Sequence, residues 1–190
     1  MDRDGVLNEE VGYVTSLEAF RLLPRTAEAI RRISEAGLLA IVVTNQSGIA
    51  RGLFDEGLME TVHAALRDRL AAAGAQLDGL YICPHHPDLG IAPWRRRCDC
   101  RKPEPGLLLQ AAREMDIDLP ASYMVGDSVR DMEAARRAGV TGILALTGYG
   151  RSVLRDRIGP GHTAPAYVAE DLFDAVDWIV RQPHHKEGRP

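Results

Sequence analysis

Four short stretches hold the residues that could do chemistry. Asp2-Arg3-Asp4-Gly5 opens the chain, Thr44-Asn45 follows an apolar run, Lys102-Pro103 follows a loop-like segment, and Gly126-Asp127 lies four residues before Asp131. Three or four carboxylates converging at strand ends would bind a hard divalent cation. Magnesium prefers oxygen ligands, keeps several waters and usually sits against a phosphate. An Asp can also attack phosphorus and form an aspartyl-phosphate. A dianionic phosphate repels an anionic nucleophile, so that chemistry requires a metal and a cation. Lys102 is the candidate cation. Thr44, with the backbone amides of Asn45 to Gly48, could hold phosphate oxygens. Singly these signals are weak: an acidic turn, a strand cap, a surface lysine. Their order along the chain is what chance explains poorly.

Cys83-Pro84-His85 and Cys98-Asp99-Cys100 form a second constellation that uses all three cysteines. Three thiolates and an imidazole would make a closed, tetrahedral structural zinc site. The bland reading is buried free thiols and a casual histidine, and the two close-spaced pairs weigh against it. His85 and His86 compete as the fourth ligand. The loop 83–101 has no apolar core of its own, so a metal would fix it and thereby position Arg101 and Lys102.

Apolar and amphipathic runs alternate behind these residues. The patterning predicts helices over Pro24–Ala36, Asp55–Ala73, Pro105–Met115, Val129–Ala138 and Glu170–Val180, several closed by glycine. Strands are expected at Leu38–Val43, Gly79–Cys83, Ser122–Val125, Gly142–Leu146 and near Tyr167, with loop over 147–165 and a disordered tail over 183–190. Strand and helix in alternation mean an α/β, doubly wound parallel sheet with helices on both faces. One domain over 1–182 is expected, with its site beyond the carboxyl ends of the strands. No insertion of cap-domain size follows Asp4 or Gly48, so the site should be open and bounded by loops.

The bulk numbers narrow the function classes. With 23 Lys plus Arg against 27 Asp plus Glu, the chain lacks the basic stripe of a nucleic-acid groove. Arg95-Arg96-Arg97 is read as a solvated or phosphate-facing patch. There is no apolar run long enough to span a membrane and no signal-peptide pattern, so a cytoplasmic monomer acting on a small molecule is expected.

The four motifs resemble those of the haloacid-dehalogenase (HAD) phosphatases. That resemblance implies Asp2 as nucleophile and Asp4 as general acid, then base. It implies Thr44 and Lys102 on the transferred phosphoryl group, and magnesium on Asp2, Asp127 and the backbone carbonyl of Asp4. Asp131 would support the motif loop. Cys-x-His and Cys-x-Cys-Arg-Lys-Pro, with Thr-Asn-Gln-Ser-Gly-Ile-Ala-Arg-Gly at 44–52, narrow the likeness to the D-glycero-D-manno-heptose 1,7-bisphosphate 7-phosphatases and the related histidinol-phosphate phosphatases. The likeness covers about residues 2–150. It selects His85, with Cys83, Cys98 and Cys100, for zinc. The run Glu10 to Val14 and Arg101 match the heptose branch better. In that branch Glu10, Gly12, Tyr13, Thr44, Asn45, Gln46, Ser47, Arg101 and Lys102 would contact the sugar phosphate. Ser128 departs from the pattern, since relatives often carry lysine there. The expected activity is magnesium-dependent release of the 7-phosphate. The alternatives are histidinol-phosphate hydrolysis and a catalytically weak, zinc-stabilised binding protein.

One feature fits the resemblance poorly. The nucleophile should end a central buried strand, and only Met1 precedes Asp2. A strand usually takes about five residues. Upstream codons are therefore expected, and adding them should raise melting temperature and turnover together.

Overall fold

The computed structural model describes residues 1–156 and 163–182. The element order is α1 (Thr26–Glu35), β1 (Ile41–Asn45), α2 (Glu56–Ala72), β2 (Gly79–Cys83), α3 (Gly106–Met115), β3 (Tyr123–Gly126), α4 (Val129–Ala138), β4 (Thr141–Ala145), α5 (Gly150–Asp156), β5 (Tyr167–Ala169) and α6 (Leu172–Ile179). This is the expected α/β fold with parallel strand pairing.

The strands form two parallel ladders, β1 with β2 and β3–β4–β5. Residues 1–3 lie between them. Met1 N donates to Ile41 O (2.9 Å), Val43 N donates to Met1 O (2.9 Å), and Asp2 N donates to Val125 O (2.9 Å). Those bonds join the ladders in the order β2, β1, residues 1–3, β3, β4, β5. The chain runs outward from this central segment to β1 and β2, then crosses to β3. Asp2 therefore sits where the winding reverses, the place where open α/β sheets bind ligands.

Side-chain alternation builds the two layers. Val42, Val125, Ile143 and Ala145 face a core closed by α1, α2 and α6 through Ile30, Leu66 and Val176. The alternate residues Val43 and Met124 face Leu107 of α3 and Ala135 of α4. Leu144 meets Met132 and Val153 on that side. A period of two puts successive strand residues on opposite faces, so each short strand feeds both cores.

Local chemistry sets the element ends. Asp55 caps α2 by accepting from Leu58 N (2.8 Å). Gly139 ends α4 with φ 72°, a conformation that a side chain disfavours. Three expectations shift. The strand expected at Leu38–Val43 starts at Ile41, because Leu38 N is still bonded to Ile33 O in the turn and Ala40 N donates to the Asp78 side chain (2.7 Å). Its far end reaches Asn45, so Thr44 and Asn45 belong to the strand. The stretch 147–165 is not all loop, since α5 occupies Gly150–Asp156. The tail expected at 183–190 lies outside the described residues. No helix among the described residues is long and apolar enough to cross a membrane.

Candidate active site and metal-ligand cluster

Three carboxylates converge at the carboxyl ends of the central strands. Oxygens of Asp2, Asp127 and Asp131 lie within 4.8 Å of one another. Lys102 is buried against them, its Nζ 2.8 Å from Asp2 Oδ2, 2.6 Å from Asp131 Oδ1 and donating to Val43 O at 2.9 Å. Its backbone is fixed by Asn45, which accepts from Lys102 N (3.1 Å) and donates to Lys102 O (3.0 Å). Burial opposes the Lys102 charge, but Asp131 and Asp2 outweigh it and raise its pKa. Asp131 also accepts from the Ser128 backbone and hydroxyl in a capping box at the start of α4. It braces the loop and the lysine.

Asp127 is held differently. Its Oδ2 accepts from Tyr149 N (2.9 Å). A Cβ at Gly5 or at Gly148 would come within 2.0 Å of that oxygen, and both glycines have positive φ. The two turns can close on the carboxylate only without side chains. Burial, then Asp131 and, further down, Asp2, push Asp127 up to about 8. Burial also raises Asp2 against the pull of Lys102. One lysine does not neutralise three buried carboxylates, and such a donor set fits a hard divalent ion.

Asp4 faces away from this repulsion. Arg3 NH2 donates to Asp4 Oδ1 and Oδ2 (2.8 and 2.9 Å), Asn8 Nδ2 donates to Oδ1 (2.9 Å) and Gln46 Nε2 to Oδ2 (2.8 Å). Burial works against the carboxylate. Arg3, with the Asn8 and Gln46 donors, overcomes it and brings Asp4 below the usual range. Gln46 Nε2 also reaches Thr44 Oγ1 (3.1 Å).

The pocket above these groups is lined by Asp2, Asp4, Glu10, Gly12, Tyr13, Thr44, Asn45, Ser47, Arg101, Lys102 and Asp127. Gln46 alone among the expected substrate contacts stays behind the wall. The structure adds residues that sequence reading did not single out as contacts: Arg51, His86, Arg130 and Tyr149 on the rim, and Arg3, Asn8 and His63 beneath. His63 carried a readable signal, because it shares the buried face of α2 with Met59, Val62, Leu66 and Leu70.

Beside the pocket, Cys83, His85, Cys98 and Cys100 form a second cluster. Their ligand atoms stand 3.2–3.7 Å apart, with His85 presenting Nδ1. Zinc bonds of about 2.0–2.1 Å to nitrogen and about 2.3 Å to sulfur around a tetrahedron give edges of roughly 3.5–3.8 Å, a few tenths longer than the tightest of these separations, and three thiols with one imidazole are a donor set that fits zinc. His86 points elsewhere: its Nδ1 accepts from Asp88 N and Leu89 N, and its ring meets Arg51. The chain leaves Cys100 directly into Arg101 and Lys102. Arg101 NH1 donates to His85 O (3.1 Å), tying the cluster to the pocket wall.

Known proteins resemble this chain in sequence and in fold. The HAD-hydrolase-like family model matches residues 99–175. A D-glycero-beta-D-manno-heptose-1,7-bisphosphate 7-phosphatase of Yersinia pestis is 46% identical over 174 residues, covering 92% of this chain and 90% of the relative. The enzyme of the same name from Salmonella typhi is 47% identical, covering 96% and 94%. The crystal structure of the D,D-heptose 1,7-bisphosphate phosphatase from B. bronchiseptica, complexed with magnesium and phosphate, superposes with a TM-score of 0.83 at 39% identity, covering 94% of this chain and 95% of that one. The chain therefore belongs to the HAD phosphatases, in the D-glycero-D-manno-heptose 1,7-bisphosphate 7-phosphatase family.

Proposed function

We propose that this protein hydrolyses the 7-phosphate of D-glycero-D-manno-heptose 1,7-bisphosphate through an aspartyl-phosphate on Asp2. The observation that carries this reading is the trio Asp2, Lys102 and Asp127 at the reversal of the sheet, within one family whose curated members bear that activity in their names. Asp2 is the nucleophile. Lys102 and Thr44, with the amides after Asn45, hold the phosphoryl oxygens. Asp4 gives a proton to the leaving oxygen, then takes one from the water that attacks the aspartyl-phosphate. Because Arg3 keeps Asp4 ionised at rest, its proton must arrive with the substrate. The incoming phosphate raises Asp4's proton affinity through like charge. Asp2, Asp127 and the Asp4 carbonyl would hold magnesium, which when bound offsets the charge between nucleophile and phosphate. Cys83, His85, Cys98 and Cys100 would hold zinc, whose part is to fix the loop that delivers Arg101 and Lys102.

The rim supports a bisphosphate. Arg51, Arg101 and Arg130 line the pocket together with the carboxylates. A second phosphate has partners there, whereas the amine of histidinol phosphate would meet like charge. Arg130 is two residues from Ser128 and supplies a cation where that position lacks one. Arg130→Glu is expected to raise KM for the bisphosphate by about tenfold or more with little change in kcat, the scale of removing one charge-assisted hydrogen bond. A heptose 7-monophosphate should be unaffected, and an equal rise for both substrates would remove Arg130 from this role.

The carboxylate cluster gives a metal prediction. A buried acid raised to about 8 favours the folded state at low pH, and that contribution is lost as pH rises from about 4 to 8. Magnesium must displace the proton, so its affinity should weaken by about tenfold per pH unit below 8. The melting-temperature gain on adding magnesium is expected to be larger near pH 8 than near pH 6. An equal gain at both would contradict Asp127 as a ligand. Steady-state comparison of heptose bisphosphate with histidinol phosphate tests the substrate, and a preference for histidinol phosphate would overturn it.

A further inference from the structure

Two buried basic groups lie beneath the phosphoryl pocket rather than in it. The Arg3 side chain is 2% exposed. Its Nε and NH2 are spent on Asp4 and on Gln46 Oε1 (3.2 Å). NH1 points the opposite way and meets His63 Nε2 at 3.0 Å. Arginine has donors only, so Nε2 must accept and the imidazole proton must sit on Nδ1. His63 is 1% exposed and comes from α2, which contributes no residue to the pocket. Two elements far apart in sequence thus grip one guanidinium, with Asp4 on one side and a neutral acceptor on the other.

We infer that His63 is a positioning residue that, through Arg3, aims the Asp4 carboxyl at the leaving-group oxygen. The inference rests on the proposed reading of Asp4 as general acid. A guanidinium fork is planar, so an acceptor at NH1 fixes the plane in which the Nε and NH2 hydrogens reach Asp4. A neutral acceptor suits the task. A carboxylate there would compete with Asp4 for the charge, and an apolar residue would leave a charged N–H buried without a partner. The groups facing His63 keep it neutral: burial, then Arg3 and Arg67, push it down to about 3, with Asp4 pulling weakly the other way. The lone pair on Nε2 is therefore present throughout the range in which a phosphatase works. Proton delivery within hydrogen-bond reach depends on small displacements, so a fork free to rotate should slow the step that needs the proton.

Leaving-group dependence separates this role from a merely structural one. The alkoxide of a sugar needs a proton as the P–O bond breaks, and p-nitrophenolate does not. His63→Met is expected to lower kcat on heptose bisphosphate by about tenfold to a hundredfold with KM little changed, while single-turnover release of p-nitrophenolate, which reads the phosphorylation step before Asp4 acts as base, stays within about twofold of wild type. His63→Gln can still offer an oxygen acceptor to Arg3 and should restore most of the loss. In the Asp4→Asn background, His63→Met should cost nothing further on heptose bisphosphate. Single-turnover release of p-nitrophenolate slowed as much as turnover of the sugar substrate, no loss in folded His63→Met, or a Gln variant as poor as Met would each overturn the inference. If His63→Met does not fold, His63→Asn takes its place, since its amide is too short to reach Arg3. Full activity of Asp4→Asn on the sugar substrate would instead remove Asp4 as the acid, and this inference with it.

Discussion

Asp2→Asn is expected to abolish phosphate release, by roughly four orders of magnitude or more, the scale seen when a nucleophile is removed. The fold should survive. The amide oxygen can still accept from Arg3 N, which donates to Asp2 Oδ1 at 2.7 Å. Burial already disfavours the charge at Asp2, so a neutral isostere costs little there. Lys102 keeps Asp131 as a partner at 2.6 Å. The expected signature is therefore a folded protein of near wild-type melting temperature with no turnover. A variant that retains turnover would remove Asp2 from the nucleophile's place, and one that unfolds would show that the Lys102 network needs both anions.

Removing the thiolate of Cys100 should have the second-largest effect. Cys100→Ser, or stripping with a chelator, is expected to release about one zinc per chain and to lower turnover by at least about a hundredfold. The loss follows from the covalent path, because Cys100 is joined through Arg101 to Lys102. Stability should fall by less than the roughly 10–16 kcal/mol that zinc supplies to a finger with no other core. Here the sheet packs against α1, α2 and α6 without the loop. Far-UV circular dichroism should thus persist while amide exchange over 84–103 accelerates, and added zinc should restore turnover to the stripped wild type. Metal-free protein with full turnover would contradict the link from cluster to lysine.

Much of the fold was readable because its signals are local. The Asp55 cap, the Gly139 stop and the bounds of α4 follow from residues within one turn of the element. The site motifs were readable because Asp-x-Asp and Gly-Asp sit at strand ends. What escaped depends on packing across the chain. α5 buries little beyond Gly150 and Val153, so it shows no apolar stripe, and Leu154 is exposed. The bridging of two ladders through Met1 and Asp2 depends on bonds to Ile41, Val43 and Val125, far away in sequence. Gly5 and Gly148 acquire meaning only when both close on Asp127. Arg3 sits inside the first motif, yet its role appears only once His63 arrives from α2. The residues alone left His85 and His86 open and only the family resemblance chose His85; the geometry supplies the reason, since it is the His85 imidazole that faces the thiols.

The central claim is that a phosphoryl group passes covalently through Asp2 on its way to water. Acid quenching during steady turnover of heptose bisphosphate, followed by peptide mass mapping, tests it directly. The expected result is an acid-stable, base-labile phosphoryl group on the peptide carrying Asp2, formed only with magnesium and absent in Asp2→Asn. Turnover with no phosphorylated peptide under conditions that trap acyl phosphates, or a phosphoryl group on another residue, would contradict it.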